Sequence, residues 1–151
     1  MRDRRTWLGA GAAVVVAVLG YLAWDALVET DEERLEGFVA DVTGPVAAAR
    51  VDAARARWVD LDRQPFEVSA LGESLYFRAG EDAALGERAA RATRELAGAD
   101  LRALTRAIVV EGDAARVTLR LLSRERGMMQ VEWRLRRHGQ DWLVERLAVT
   151  R

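Results

Sequence analysis

The side chains that could do chemistry in this 151-residue chain are unevenly supplied. There is no cysteine, which excludes a disulfide framework, a thiolate metal site, a cysteine nucleophile and a lipidated cysteine behind a signal peptide. His138 is the one histidine, so no multi-histidine metal centre exists and any Ser-His-Asp arrangement has to use it. It falls in a turn between Arg137 and Gly139, where a solvated ring is expected. Two carboxylate pairs, Asp60 with Asp62 and Glu81 with Asp82, have the residue types for acid–base work if one member is desolvated. Both lie at helix ends or in loops, where capping and solvation are the expected roles. These residues point to no catalytic set, no metal site and no cofactor.

Two further groups are suited to binding. Arg116, Arg120, Arg134 and Arg136, together with Arg146, sit at alternating positions of predicted strands and share one face. Glu132 and Glu145 can pair with some of them across strands, giving a salt-bridged solvent face. The alternative is a docking surface for an acidic partner. Phe77, Met129, Trp133 and Trp142, with Met128 beside them, are the candidate lining of a pocket for a small apolar or lipid-like ligand. Ordinary core packing accounts for the same residues.

These groups are positioned by the elements that periodicity predicts. Leu35, Phe38, Val39 and Val42 recur at helical offsets and mark a helix over 31–42. No Gly or Pro separates it from the apolar segment before it, so the two can run on as one helix. Gly44-Pro45 breaks the chain, and Pro45 suits the first turn of a second helix that carries Val51, Ala54, Trp58 and Leu61. Phe66, Val68 and Ala70, then Leu75 and Phe77, alternate as a short hairpin around Gly72. Gly80, Glu81 and Asp82 open a third helix with Leu85, Ala89, Ala92 and Leu96 as its stripe. From Leu101 the period changes to two. Four strands follow, turned at Glu111-Gly112-Asp113, at Arg124 to Gly127 and at His138-Gly139-Gln140-Asp141. In the last strand Trp142 and Val144 are out of phase with Leu147 and Val149, which predicts a bulge or bend near Glu145–Arg146. The fold class is therefore α+β: an antiparallel meander with one apolar face, covered by about three helices.

The order helix, helix, short hairpin, helix, four long antiparallel strands resembles the NTF2-like superfamily, including its SnoaL-like proteins. The closing Asp141-Trp142-Leu143-Val144 strand is similar to that family's as well. The resemblance spans residues 31–151 and implies a strongly curved sheet wrapped around its helices as a cone. Enzymes of the family use Asp, His or Tyr side chains lining the cone, and no matching set occurs here. Many members are non-catalytic ligand-binding or assembly domains, some behind membrane anchors in bacterial envelopes.

The N-terminal segment has its own logic. Trp7 to Trp24 contains no charged residue. At ~1.5 Å per residue its eighteen residues span ~27 Å, close to the ~30 Å hydrocarbon core of a bilayer. Arg2, Arg4 and Arg5 precede it and Asp25, Glu29, Asp31, Glu32 and Glu33 follow it, so the positive-inside bias leaves the N-terminus cytoplasmic and the bulk of the chain outside. A cleaved signal peptide is the alternative, but the apolar run exceeds a usual h-region, and Leu22-Ala23-Trp24-Asp25-Ala26 is a poor cleavage site. Gly9, Ala13 and Ala17 recur on one face at the spacing that lets two such helices approach as a homodimer. The chain thus divides into a cytoplasmic tip and transmembrane anchor (1–28), a juxtamembrane helix (29–44) and the remainder of an α+β domain (45–151).

All 23 basic residues are arginine and asparagine is absent, a bias of GC-rich bacterial codons rather than of chemistry. Residues 25–100 hold nine Arg against seventeen acids, and residues 101–151 eleven Arg against six, so the halves neutralise one another within one fold. The acidic run from Glu29 to Glu36 is a solvated stretch that keeps the domain off an anionic membrane surface. No nucleic-acid partner is expected behind an export anchor. The expected role is that of a non-enzymatic, membrane-anchored envelope domain for protein interaction or assembly. The alternatives are the apolar-ligand reading and, by fold analogy alone, an isomerase- or dehydratase-like enzyme.

Overall fold

The computed structural model describes residues 29–70 and 72–150. The predicted membrane span at 7–24, and with it Gly9, Ala13 and Ala17, lies outside the described residues. Among the described residues no helix is long and apolar enough to cross a membrane.

Helix α1 runs from Asp31 to Val42 and begins at a capping box. Thr30 Oγ1 accepts from the Glu33 N–H at 3.2 Å, and the Thr30 N–H donates to Glu33 Oε2 at 2.9 Å. Thr30 has an extended backbone, φ −71° and ψ 158°, so α1 is a helix of its own and not the continuation of a helix before it. That corrects the continuous-helix expectation: Thr and Glu at capping-box spacing start a helix at this point without a Gly or Pro. Leu35, Phe38 and Val39 are its buried side.

Gly44–Pro45 forms a two-residue strand, β1, paired antiparallel with Leu101 and Asp100. Pro45 therefore sits on a sheet edge, where its missing N–H leaves no ladder bond unmade, and not in the first turn of a helix. Gly44 takes φ +89°, which allows the sharp exit from α1. Helix α2 then runs from Ala48 to Trp58. Its Arg50 donates to the carbonyls of Ala40 and Thr43 at 3.1 and 2.9 Å, capping the end of α1.

Strands β2 (Phe66–Ala70) and β3 (Glu73–Phe77) form the expected hairpin. Helix α3, Asp82–Glu95, buries only Leu85. Its inner side continues through Ala89, Thr93 and Leu96, while Ala92, expected in the stripe, is exposed. Strands β4 (Asp100–Glu111), β5 (Ala114–Ser123), β6 (Gly127–His138) and β7 (Asp141–Thr150) form the meander.

The seven strands make one sheet in the order β1-β4-β5-β6-β7-β2-β3. The sheet is not wholly antiparallel. β2 joins it by pairing parallel to β7, with Val68 opposite Leu147. The register of β6 on β7 shifts at Arg134/Leu135, because Arg134 faces Arg146 and Leu135 faces Val144. Glu145 is the extra residue. This bulge is the predicted one, and its effect is to bring Trp142, Val144, Leu147 and Val149 onto the same face despite their sequence phase. A second shift, at Ala103/Thr105 in β4, leaves Leu104 unpaired. Bulges add local twist, and the sheet is curved around its helices.

The inner face and the helices share one core. Val117, Leu119 and Leu135 are fully buried. Phe38 of α1 is its hub, meeting Trp58 edge-on at 5.2 Å and Trp133 edge-on at 5.5 Å. Such contacts add about 0.5–1.5 kcal/mol each beyond the area they bury.

Candidate functional site

The outer face of the sheet carries the arginines. Following the pairing across strands, Val109 faces Arg116, Arg116 faces Arg134, Arg134 faces Arg146, Arg146 faces Glu67 and Glu67 faces Tyr76. Three guanidinium groups thus stand side by side on three adjacent strands. Like charges directly opposite one another are destabilising, so such a row persists only with compensation nearby. Glu132 bridges two of them, 3.1 Å from Arg134 Nε and 3.9 Å from Arg116 Nε. Arg146 Nε is 3.7 Å from Glu67, too long for a hydrogen bond, and this buried nitrogen has no hydrogen-bond partner. Arg136 lies one row on and meets Glu145 at 3.4 Å. Between these side chains lies an open hollow of about 360 Å³, floored by Ala114 and Ala115. These ion pairs are solvent-screened, with side chains between about a third and three-fifths exposed, and each contributes little stability.

Three of the four predicted docking residues, Arg116, Arg134 and Arg136, therefore share this hollow, and Arg146 joins them. Arg120 does not. It lies four residues along β5, ~13 Å away, opposite Gln130, and donates to Met128 Sδ at 3.5 Å. The next row of the face holds Ala107, Thr118, Glu132 and Ala148, mostly short side chains.

The four candidate pocket residues do not converge on one space. Trp133 packs on Phe38, and Phe77 stacks on Phe66 at 6.5 Å. Trp142 donates its indole N–H to Asp31 Oδ1 at 2.9 Å. Met129 is half-buried beside Leu121. Since Trp142 faces Arg137, it lies eight residues along β6 from Met129, ~26 Å away.

The paired carboxylates have local duties. Asp60 Oδ1 accepts from the Asp62 and Arg63 N–H groups at 3.1 and 3.3 Å. Glu81 accepts from the Arg78 N–H at 2.7 Å, and Asp82 opens α3. His138 is not a solvated turn residue. It ends β6, half-buried, with Nε2 2.9 Å from Gln64 Oε1. The Glu29–Glu36 run is largely engaged as well: Asp31 with Trp142 and Arg137, Glu33 in the cap, Glu36 with Arg106. Among the described residues no group of three or more His, Asp or Glu is placed to hold a metal ion. Glu125, in the β5–β6 turn, is held below the usual carboxylate range, first by the Ser123 hydroxyl and then by its own backbone N–H.

Sequence reasoning missed the polar clamp around the β6–β7 turn. Arg137 holds Asp31 at 2.9 Å and Asp113 at 3.0 Å. Arg63 holds Asp141 at 2.9 Å and the His138 carbonyl at 3.0 Å, and Arg34 donates to the Gln140 carbonyl. No local spacing announces partners 24 to 106 residues apart.

No family model matches the chain, and no curated protein matches it. Solved structures do. A protein from Novosphingobium aromaticivorans, described as NTF2-like with a cystatin-like fold, is 20% identical over 99% of this chain and 90% of its own, with a TM-score of 0.55. The fold is NTF2-like. A Parabacteroides distasonis protein with a provisional ketosteroid isomerase name aligns at TM-score 0.59, with 14% identity over 80% of this chain and 87% of its own. A Mycobacterium tuberculosis protein of unknown function aligns at 0.55, with 14% identity over 78% and 69%. At these identities the likeness is one of fold. The NTF2-like sheet accounts for the geometry: its inner face is occupied by helices, and its outer face is free to carry charge.

Proposed function

We propose that this chain is a non-catalytic docking domain, held on the outer side of a bacterial membrane by residues 7–24, that binds an acidic protein partner through the outer face of its sheet. The observation that carries this reading is the row Arg116–Arg134–Arg146, with Arg136 beside it around one hollow. A salt-bridged solvent face does not need three like charges in register. A partner carboxylate can add what the face leaves unmet, since Arg146 is 3.7 Å from Glu67 and Arg116 is 3.9 Å from its nearest acid, and both side chains are partly exposed. Guanidinium groups favour this, because their fork of donors matches a carboxylate. The N-terminal side of the reading rests on the apolar length and on the Arg cluster before it.

The test is cross-linking in intact membranes followed by capture of the full chain. With Arg134→Glu and Arg136→Glu together, the specific cross-linked partner should be lost while the domain keeps its thermal transition. Raising salt should weaken capture of the unmodified chain, as expected for exposed charges. An unchanged set of partners in the folded double variant would overturn the docking reading.

A further inference from the structure

The sheet's long outer edge is a separate feature. β4 has twelve residues, and among the described residues only β1 pairs with its outer side, at Asp100 and Leu101. Edge strands are blunted by proline, bulges and charge. Here the proline and the bulge crowd the lower half: Pro45 in β1, the irregularity at Ala103/Thr105, and the Arg102–Asp100 pair at 3.0 Å. Above the bulge, Thr105 to Glu111 has β5 on one side and no described strand on the other. Ala107-Ile108-Val109-Val110 is a strongly β-prone run. Ala107 and Val109 are exposed and the other two are half-buried. Seven residues present ~23 Å of edge.

A groove lies along this edge, walled on its other side by α1. Its lower part, about 490 Å³, lies between Val39 and Thr43 of α1 and Leu104 of β4. Its upper part, about 320 Å³, lies between Glu32 and Ile108. Glu36 and Arg106 border both parts and span the groove with a 2.6 Å ion pair. That pair satisfies Arg106. Glu32 is exposed and has no cationic partner among the described residues, so the upper groove keeps an uncompensated negative charge.

We propose that the upper β4 edge accepts an extended segment of a partner protein as an added antiparallel strand, with a Lys or Arg of that segment meeting Glu32. The short β1 already shows the mode, since it pairs antiparallel on the same edge one bulge below. Backbone ladders supply affinity in such additions, and alternate side chains supply selectivity. Charge decides between occupants. A second copy's β4 would bring Arg106, which its own Glu36 already holds, and would leave Glu32 unmatched. A foreign basic strand matches it.

The probe is the peptide acetyl-Thr-Val-Thr-Lys-Val-Thr-Val-amide, added to the full chain in detergent micelles. Two further versions carry N-methyl groups on one alternate set of residues or on the complementary set. An added strand points only one set of N–H groups at the edge. The unmodified peptide and one methylated version should bind and slow amide exchange over residues 105–111, while the other version binds at least about tenfold more weakly. Glu32→Gln should weaken the Lys peptide about threefold and leave a Gln-for-Lys peptide unaffected. The proposal is overturned if the unmodified peptide gives no protection at β4, or if both methylated versions bind alike. It is equally overturned if 105–111 is already protected in a concentration-dependent way without peptide, which would mark the edge as a self-association site.

Discussion

Single residues tie the two ends of this fold together. Asp31, the first residue of α1, accepts from Trp142 Nε1 and from Arg137 Nη1, both at 2.9 Å. Trp142 is 2% exposed, so its N–H has no recourse to water if that acceptor is lost. Asp31→Ala should destabilise the full chain in detergent by about 2–3 kcal/mol, the cost of an orphaned buried donor with a lost charged partner. Asp31→Asn, which keeps one acceptor oxygen, should cost less. Thermal unfolding followed by tryptophan fluorescence measures both, and equal stability of Asp31→Ala and the unmodified chain would contradict the role. None of this was legible in the sequence. Asp31 reads there as one acid among several before an apolar stripe, and its partners lie over a hundred residues away. His138 is hidden for the same reason: a histidine beside a turn glycine looks solvated until Gln64 is brought against it.

At the scale of elements, alternation was a dependable guide where both faces of a strand differ, as in Val117, Leu119 and Leu121 against Arg116, Thr118 and Arg120. The bulge was legible as a break of phase, because Leu147 and Val149 can reach the core only if one residue is skipped. Deleting Glu145 should therefore unfold β7 from the core. It would turn the half-buried Leu147 and Val149 outward at about 1–1.5 kcal/mol each, whereas Glu145→Ala should cost under about 1 kcal/mol. Urea denaturation of both variants checks this, and similar stability of the two would mean that the extra residue is not what sets the phase. The parallel pairing of β2 with β7 was not legible. Val68 and Leu147 are nearly eighty residues apart, and neither strand has a local signature of its neighbour. Pro45 is ambiguous in the sequence because proline is at home both in the first turn of a helix and on a sheet edge, and only the partner strand decides.

At the scale of the molecule, the division of labour between the two sheet faces organises the account. Helices α1 and α2 bury the inner face, with α3 adding little beyond Leu85, so the groups left open to a partner lie on the outer face and along the β4 edge. The arginine face could be read from the sequence because charge alternates with core residues along β5 and β6. The separation of Arg120 from Arg116, Arg134 and Arg146 could not, since it follows from register. The chain has no native cysteine, so single cysteines can be placed at will. The most direct test of the docking account puts a photo-cross-linking maleimide that does not cross membranes on full-length chain in intact cells, at Gln130→Cys on the outer face or Ala90→Cys on α3. Both positions should label from outside, and only the outer-face position should yield a discrete cross-linked partner, one that disappears when Arg134 and Arg136 are reversed. Labelling of neither position, or the same partners from both, would contradict it.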